Sequence, residues 1–279
     1  MNKLKYLSIL LCLTVIMTGC GNNKSNSNEQ TNNSQTNTKV THKGIVYLDP
    51  TNLDKKCSKE DAKKNVNENG TPTEIKTGCM KWYIYDDSGD NYTMILDHNT
   101  TAGIQWNDSN VNVTYEQSNI KTVVDDLVVS SGWKVTPRLI TAGEIDNIVG
   151  PVATWNVADY NTCYHFGSKS EKDYSLQTIE QQGIQQSYHW LFDNLYQSSN
   201  YGGSVSDDNQ YTHYDSNAGV SENYTDSYWT STPVGTAGSN SFVWAVHAYG
   251  YLYDSFSDIS IVGIRPVITI PKSKVNVNY

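Results

Sequence analysis

Five cysteines carry most of the chemistry that spacing alone can specify in this chain. Cys20 stands at the end of an apolar run, directly after Met17-Thr18-Gly19. Cys57 and Cys79 flank a polar stretch, residues 58–77, rich in Lys, Asn and Glu. A bridge between them would close that loop and contribute about 3 kcal/mol on a chain-entropy estimate. The pairing leaves Cys163 as a lone thiol in Tyr160-Asn161-Thr162-Cys163-Tyr164-His165. A nucleophilic thiol beside an imidazole is conceivable there, but sequence neighbours need not face each other, and a buried, inert cysteine is the simpler expectation. Zinc needs more ligands than this, and no CxxC or HxxxH occurs to supply them. Asp97-His98 invites a general-base reading. Neighbours on a strand point to opposite faces, however, so a hydrogen-bonded structural histidine is expected. Asp86-Asp87-Ser88-Gly89-Asp90-Asn91 is oxygen-rich enough to suggest calcium, yet it lacks EF-hand spacing and its residue types are those a turn uses. There is no G-x-S-x-G, no S-x-x-K in its motif context, no H-E-x-x-H and no P-loop.

The elements around these residues give them their settings. Lys3 and Lys5 precede an apolar run from Leu7 to Met17, which is too short for a bilayer-spanning helix of about 20 residues and reads as a signal peptide. Met17-Thr18-Gly19-Cys20 resembles the lipobox of bacterial lipoproteins, in which the cysteine thiol takes a diacylglyceryl group before cleavage. An ordinary signal peptide with a chance cysteine is the alternative. The resemblance implies a mature chain that begins at Cys20 on the outer face of a cell membrane, where the remaining cysteines are oxidisable. Residues 21–41 are Asn, Ser, Thr, Gln and Lys with almost no apolar residue, the composition of a flexible tether. The expected organisation is a signal at 1–19, lipidated cysteine and tether at 20–42, one globular domain at 43–274 and a tail at 275–279.

With 20 Lys+Arg against 29 Asp+Glu the formal net charge is -9, and loss of Lys3 and Lys5 with the signal takes it to -11. That balance disfavours nucleic acid and direct adhesion to anionic lipid. The only arginines, Arg138 and Arg265, each lie beside a proline and apolar residues. Both read as structural ion-pair partners. The 20 Tyr and 7 Trp against 4 Phe favour aromatic side chains with a polar edge.

Residues 81–85 and 92–96 are β-prone and predict a hairpin across the Asp/Ser/Gly/Asn turn. Thr114 and Gln117 have capping-box spacing, and Ile120, Val123, Val124, Leu127 and Val128 repeat at helical intervals. Thr141 and Glu144 start a second, short helix that Gly150-Pro151 stops. Residues 170–195 are ambiguous between helix and irregular packing. From 197 to 227 the chain is Ser, Asn, Asp, Gly and Tyr with hardly an aliphatic residue, a long loop of the kind that is functional or disordered. Residues 242–247, 251–253 and 261–270 then predict three core strands.

Three stretches, Pro137-Arg138-Leu139-Ile140-Thr141-Ala142-Gly143-Glu144-Ile145, Tyr228-Trp229-Thr230-Ser231-Thr232-Pro233 and Val262-Gly263-Ile264-Arg265-Pro266-Val267, resemble segments of the formylglycine-generating-enzyme-like branch of the C-type lectin fold. Two more, Gly78-Cys79-Met80-Lys81-Trp82-Tyr83 and Ile95-Leu96-Asp97-His98-Asn99-Thr100-Thr101, are similar to stretches in domains of Gram-positive surface proteins and lipoproteins. The resemblance covers most of residues 44–271. It implies an α+β, C-type-lectin-like fold: a twisted antiparallel sheet joining the early hairpin to the late strands, two helices against it and a long irregular loop region. It also implies Trp229 and Trp244 packed at the root of the loop, and Arg265 neutralised by a buried carboxylate, with Glu144 the candidate. Enzymes of the wider family need a closely spaced cysteine pair late in the domain. No cysteine follows Cys163, so their chemistry is not carried over.

The leading expectation is a non-catalytic, lipid-anchored surface module that presents its loop to a carbohydrate, peptide or protein. Tyr201, Tyr211, Tyr214 and Tyr224 would supply contact area, and Asp207, Asp208 and Asp215 polar or calcium-binding groups. No cofactor is implied. An envelope enzyme acting through Cys163 or a constellation visible only in three dimensions is one alternative, a scaffold in a surface complex another, and a solvated loop without ligand the plainest.

Overall fold

In the computed structural model, which describes residues 41–66, 74–101, 103–109, 113–150, 163–166, 187–192, 227–235, 241–247, 250–275 and 277, the runs on either side of the Asp/Ser/Gly/Asn turn pair as the expected hairpin. The elements in chain order are β1 (Gly44–Leu48), α1 (Lys59–Lys64), β2 (Met80–Asp86), β3 (Asn91–Leu96), α2 (Asn119–Val129), α3 (Ala142–Val149), β4 (Cys163–His165), β5 (Ser227–Pro233), β6 (Phe242–His247), β7 (Tyr251–Phe256), β8 (Val262–Gly263) and β9 (Val267–Pro271).

The fold is α+β, with few helices and two sheets where the resemblance implied one. The first sheet, in the order β1-β2-β3-β9, is wholly antiparallel and joins the early hairpin to the end of the chain. The second, β4-β7-β6-β5-β8, collects the late strands and is antiparallel except where β5 runs parallel to β8. The apolar run at 261–270 is therefore not one strand. Pro266 has no N–H to donate to a ladder, and Ile264-Arg265-Pro266 separates β8 in one sheet from β9 in the other.

Side-chain alternation divides the core into three layers. Ile45, Tyr83, Ile95 and Val267 of the first sheet meet Tyr228, Trp244, Val246 and Leu252 of the second. The opposite face of the first sheet, with Trp82, Met94 and Ile268, is covered by Leu127 and Trp133. The opposite face of the second, with Trp229, Val243 and Ala245, is covered by Trp106, Ile120 and Val124. Helix α2 thus serves both outer layers. Trp229 and Trp244 are both buried but on opposite faces of the second sheet, because Trp229 pairs with Ala245 and its neighbour Trp244 must face the other way.

Helix starts follow local chemistry, with one correction. Thr141 and Glu144 form a reciprocal capping box and Gly150, at φ 86°, ends α3, as the sequence indicates. The Thr114 hydroxyl donates to Gln117 Oε1 at 3.0 Å and the Gln117 N–H to Thr114 O at 3.0 Å, which closes a single 3-10 turn (Tyr115–Gln117) without a side-chain cap. The cap of α2 is Ser118, whose hydroxyl accepts the Lys121 N–H at 3.2 Å. Val128, expected inward, is 40% exposed, since the buried stripe is Ile120, Val124 and Leu127. Cys57 and Cys79 form the expected disulfide with Cα atoms 5.5 Å apart, tying the start of β2 to the segment before α1.

Candidate functional site

After Leu96 the chain leaves β3 and bonds its way along the link between β8 and β9. Leu96 N–H donates to Pro266 O at 2.9 Å, Thr100 N–H to Ile264 O at 2.7 Å and Ile104 N–H to Val262 O at 2.9 Å. Gly103 is required here: a Cβ would fall on the Ser260 carbonyl and within 2.6 Å of Ile261 Cα. This crossing carries polar residues into the interior. Lys81, Asp97, His98, Asn99, Thr100, Ser227, Thr230 and Arg265 are all buried, where an apolar residue would be the default. Four of the five stretches behind the family resemblance meet at this place.

Several of these side chains hold backbone. The Arg265 guanidinium, wholly buried, donates from Nε to Leu96 O and from Nη2 to Trp190 O at 2.6 Å, and its Cζ lies 5.4 Å from the Tyr228 ring centroid. Asn99 Nδ2 donates to Ser227 O at 3.1 Å. His98 Nε2 lies 3.1 Å from Ile75 O, which as a carbonyl can only accept, so the proton sits on Nε2. Burial lowers the His98 pKa to about 4; the Asp97 carboxylate opposes that shift and the Arg265 charge adds to it. The imidazole is neutral at pH 7. Burial likewise pushes the Tyr228 phenol up, against the pull of Arg265.

Trp190 and Ser227 stand on either side of residues 193–226. Arg265 grips the first stem and Asn99 the second, so one buried polar cluster holds the described chain on both sides of that stretch. The stems have further ties. Trp190 Nε1 donates to Thr41 Oγ1 at 2.9 Å and its ring stands 5.7 Å from Tyr83. The Tyr253 hydroxyl donates to Ser227 Oγ at 3.0 Å. The His247 and Tyr251 rings stack at 4.6 Å on the strands beside it.

Glu144 does not neutralise Arg265. It pairs with Arg138, Oε1 to Nη2 at 2.6 Å and Oε2 to Nη1 at 2.8 Å, and accepts the Tyr85 hydroxyl at 3.0 Å. The capping box places Glu144 six residues after Arg138, within reach of a bidentate fork, and leaves none of it for Arg265. Burial works against the Glu144 charge, but hydrogen bonds from Arg138 and the Thr141 N–H outweigh it and hold the carboxyl below its usual range.

The other expected residues separate. Tyr201, Asp207, Asp208, Tyr211, Tyr214, Asp215 and Tyr224 lie outside the described residues, as do Cys20 and the tether. Cys163 is at the start of β4. Asp86 caps its own turn, accepting Ser88 N–H and Ser88 Oγ at 3.0 Å each, and Asp87 pairs with Lys43 at 2.6 Å. Sequence reasoning missed Asn99 as a stem holder and Ser227 as the stem it holds. The available signal was a run of consecutive polar residues, Asp97 to Thr100, directly after an apolar strand and with no turn residue of the Gly or Pro type among them.

Among the described residues no three or more His, Cys, Asp or Glu side chains gather to hold a metal ion, and no helix is long and apolar enough to cross a membrane. No family model, curated protein or solved structure matches the chain.

Proposed function

We propose that the chain is a lipid-anchored surface module with a C-type-lectin-like, formylglycine-generating-enzyme-like domain, which binds a carbohydrate or protein ligand without catalysis through residues 197–226. One observation carries the reading: a buried polar cluster grips both stems of that stretch, through Arg265 to Trp190 O and Asn99 to Ser227 O. Burying an arginine is costly, and of the two carbonyls Arg265 reaches, one is the Trp190 stem, so a scaffold that spends a buried arginine beside a Tyr- and Asp-rich segment has the form of a display device. Cys20, behind its apolar run and before its polar tether, supplies the anchor that projects the domain outward, because two acyl chains make a stable attachment where one does not.

Two measurements test this. Metabolic labelling with an alkynyl fatty acid labels the wild-type chain and not Cys20→Ala; label retained in Cys20→Ala overturns the anchor. Arrays of glycans and of extracellular proteins, probed with the chain and with the alanine variant of Tyr201, Tyr211, Tyr214 and Tyr224, show a bound class that the variant loses. Unchanged binding by the variant overturns the assignment of the ligand to this segment.

A further inference from the structure

Strand β9 is an edge of the first sheet, and among the described residues part of its outer side is unpaired. Val267 spends its outward groups on Arg138, donating to Arg138 O at 2.7 Å and accepting from Arg138 N–H at 2.9 Å. Main-chain direction alternates along an antiparallel strand, so Ile268 and Ile270 turn their backbone groups toward β3 and Thr269 turns its N–H and C=O outward. The bridge between Arg138 and Val267 is isolated: Thr136, the residue opposite Thr269 in its register, makes no backbone bond to it, and among the described residues nothing else bonds to the outward side of Thr269.

Where the two backbones part, a groove of about 470 Å³ opens between residues 134–138 on one bank and 269–274 on the other. Leu53, Val135, Pro137 and Ile270 make its apolar part, and Lys134, Arg138 and Lys274 its charged part, with no Asp or Glu in the lining. The chain as a whole carries -9, so two lysines, Lys134 and Lys274, with no carboxylate in the lining are a local reversal of its charge. Arg138 is committed to Glu144. Neither Lys134 nor Lys274 has a carboxylate partner among the described residues, and the backbones of both are held: Lys134 N–H donates to Pro50 O at 2.7 Å, and Lys274 closes the 3-10 turn Lys272–Lys274.

We propose that this edge is a docking site for an acidic, extended peptide segment of a partner protein, which adds as a short strand at Thr269. The open main-chain donor and acceptor select a peptide. The apolar wall takes one row of its alternating side chains, and Lys134 and Lys274 take carboxylates of the other. Lysines and prolines also guard sheet edges against pairing, and the test separates guard from dock.

Fluorescence anisotropy of the full chain is measured with a labelled, end-capped peptide Asp-Val-Asp-Val-Asp-Val, its Lys-for-Asp counterpart, and the Asp peptide with N-methylated valines. The acidic peptide binds and weakens with added salt, and the lysine peptide does not bind. N-methylation, which removes main-chain donors without changing charge, weakens binding at least about tenfold, and so does the double substitution Lys134→Glu with Lys274→Glu, whose melting temperature matches the wild type. No binding up to about 1 mM, the weak end of specific recognition, means the lysines only guard the edge and overturns the proposal. Equal binding of the N-methylated peptide means a diffuse ionic attraction and overturns it as well.

Discussion

Arg265→Met tests whether the buried cluster holds the stems or merely occupies space between the sheets. The substitution keeps an unbranched apolar stem but removes the donors to Leu96 O and Trp190 O and the cation 5.4 Å from the Tyr228 ring. A hydrogen bond from a charged donor contributes about 1.5 to 3 kcal/mol, and each stranded buried carbonyl adds a desolvation cost of similar size. Against this, removing a buried charge recovers its own desolvation cost, which in some proteins makes an apolar replacement neutral. The geometry decides between them. Both carbonyls remain buried after the change, so the net loss is about 4 kcal/mol at two such bonds. In urea, with a slope of about 2 kcal/mol per molar for a domain of this size, the unfolding midpoint falls by about 2 M. Arg265→Lys keeps the charge but cannot span both carbonyls, and it falls between the two. A midpoint for Arg265→Met within about 0.5 M of the wild type would refute the reasoning and make Arg265 a replaceable filler.

The remaining expectations concern the same crossing. An unfolded histidine takes a proton below about 6.5, while folded His98 stays neutral until about 4, so the unfolded state binds more protons across that window and stability falls as pH drops from 6.5 to 4. The full effect is about 3 kcal/mol. Urea unfolding of wild type and His98→Gln at a series of pH values shows a flatter acid slope for the variant, and equal slopes would contradict the assignment. Gly103→Ala drives a methyl onto the Ser260 carbonyl and the Ile261 Cα, which are backbone and cannot swing away. A loss of about 3 kcal/mol or more by thermal melting follows, and a wild-type melting temperature would show that the two segments approach less closely.

Local patterns in the sequence were legible wherever one short-range rule decided the outcome. The hairpin at β2 and β3, the Thr141–Glu144 capping box, the Gly150 stop and the Cys57–Cys79 bridge each depend on a few neighbouring residues or one pairing. What failed depended on long-range choices. Two sheets rather than one, and the division of residues 261–270 between them, follow from how Ile264-Arg265-Pro266 meets the chain after Leu96, 169 residues away in sequence from Arg265. Arg138 and Arg265 looked alike beside their prolines, yet one forks onto a carboxylate and the other onto two carbonyls. Ser118, not Thr114, caps α2 because the chain makes a 3-10 turn first, and composition does not separate the two starts. The stem holders were half visible: Arg265 and Asn99 stood inside stretches singled out for their family resemblance, but the carbonyls they grip lie elsewhere in sequence.

Whether residues 197–226 carry the ligand is tested most directly by replacing them with a short Gly/Ser linker between the intact stems and titrating the bound array class against both proteins. Loss of binding with a melting temperature close to the wild type is the expected result, because Arg265, Asn99 and the two sheets remain in place. Binding retained at wild-type affinity would place the ligand elsewhere on the domain and contradict the display function.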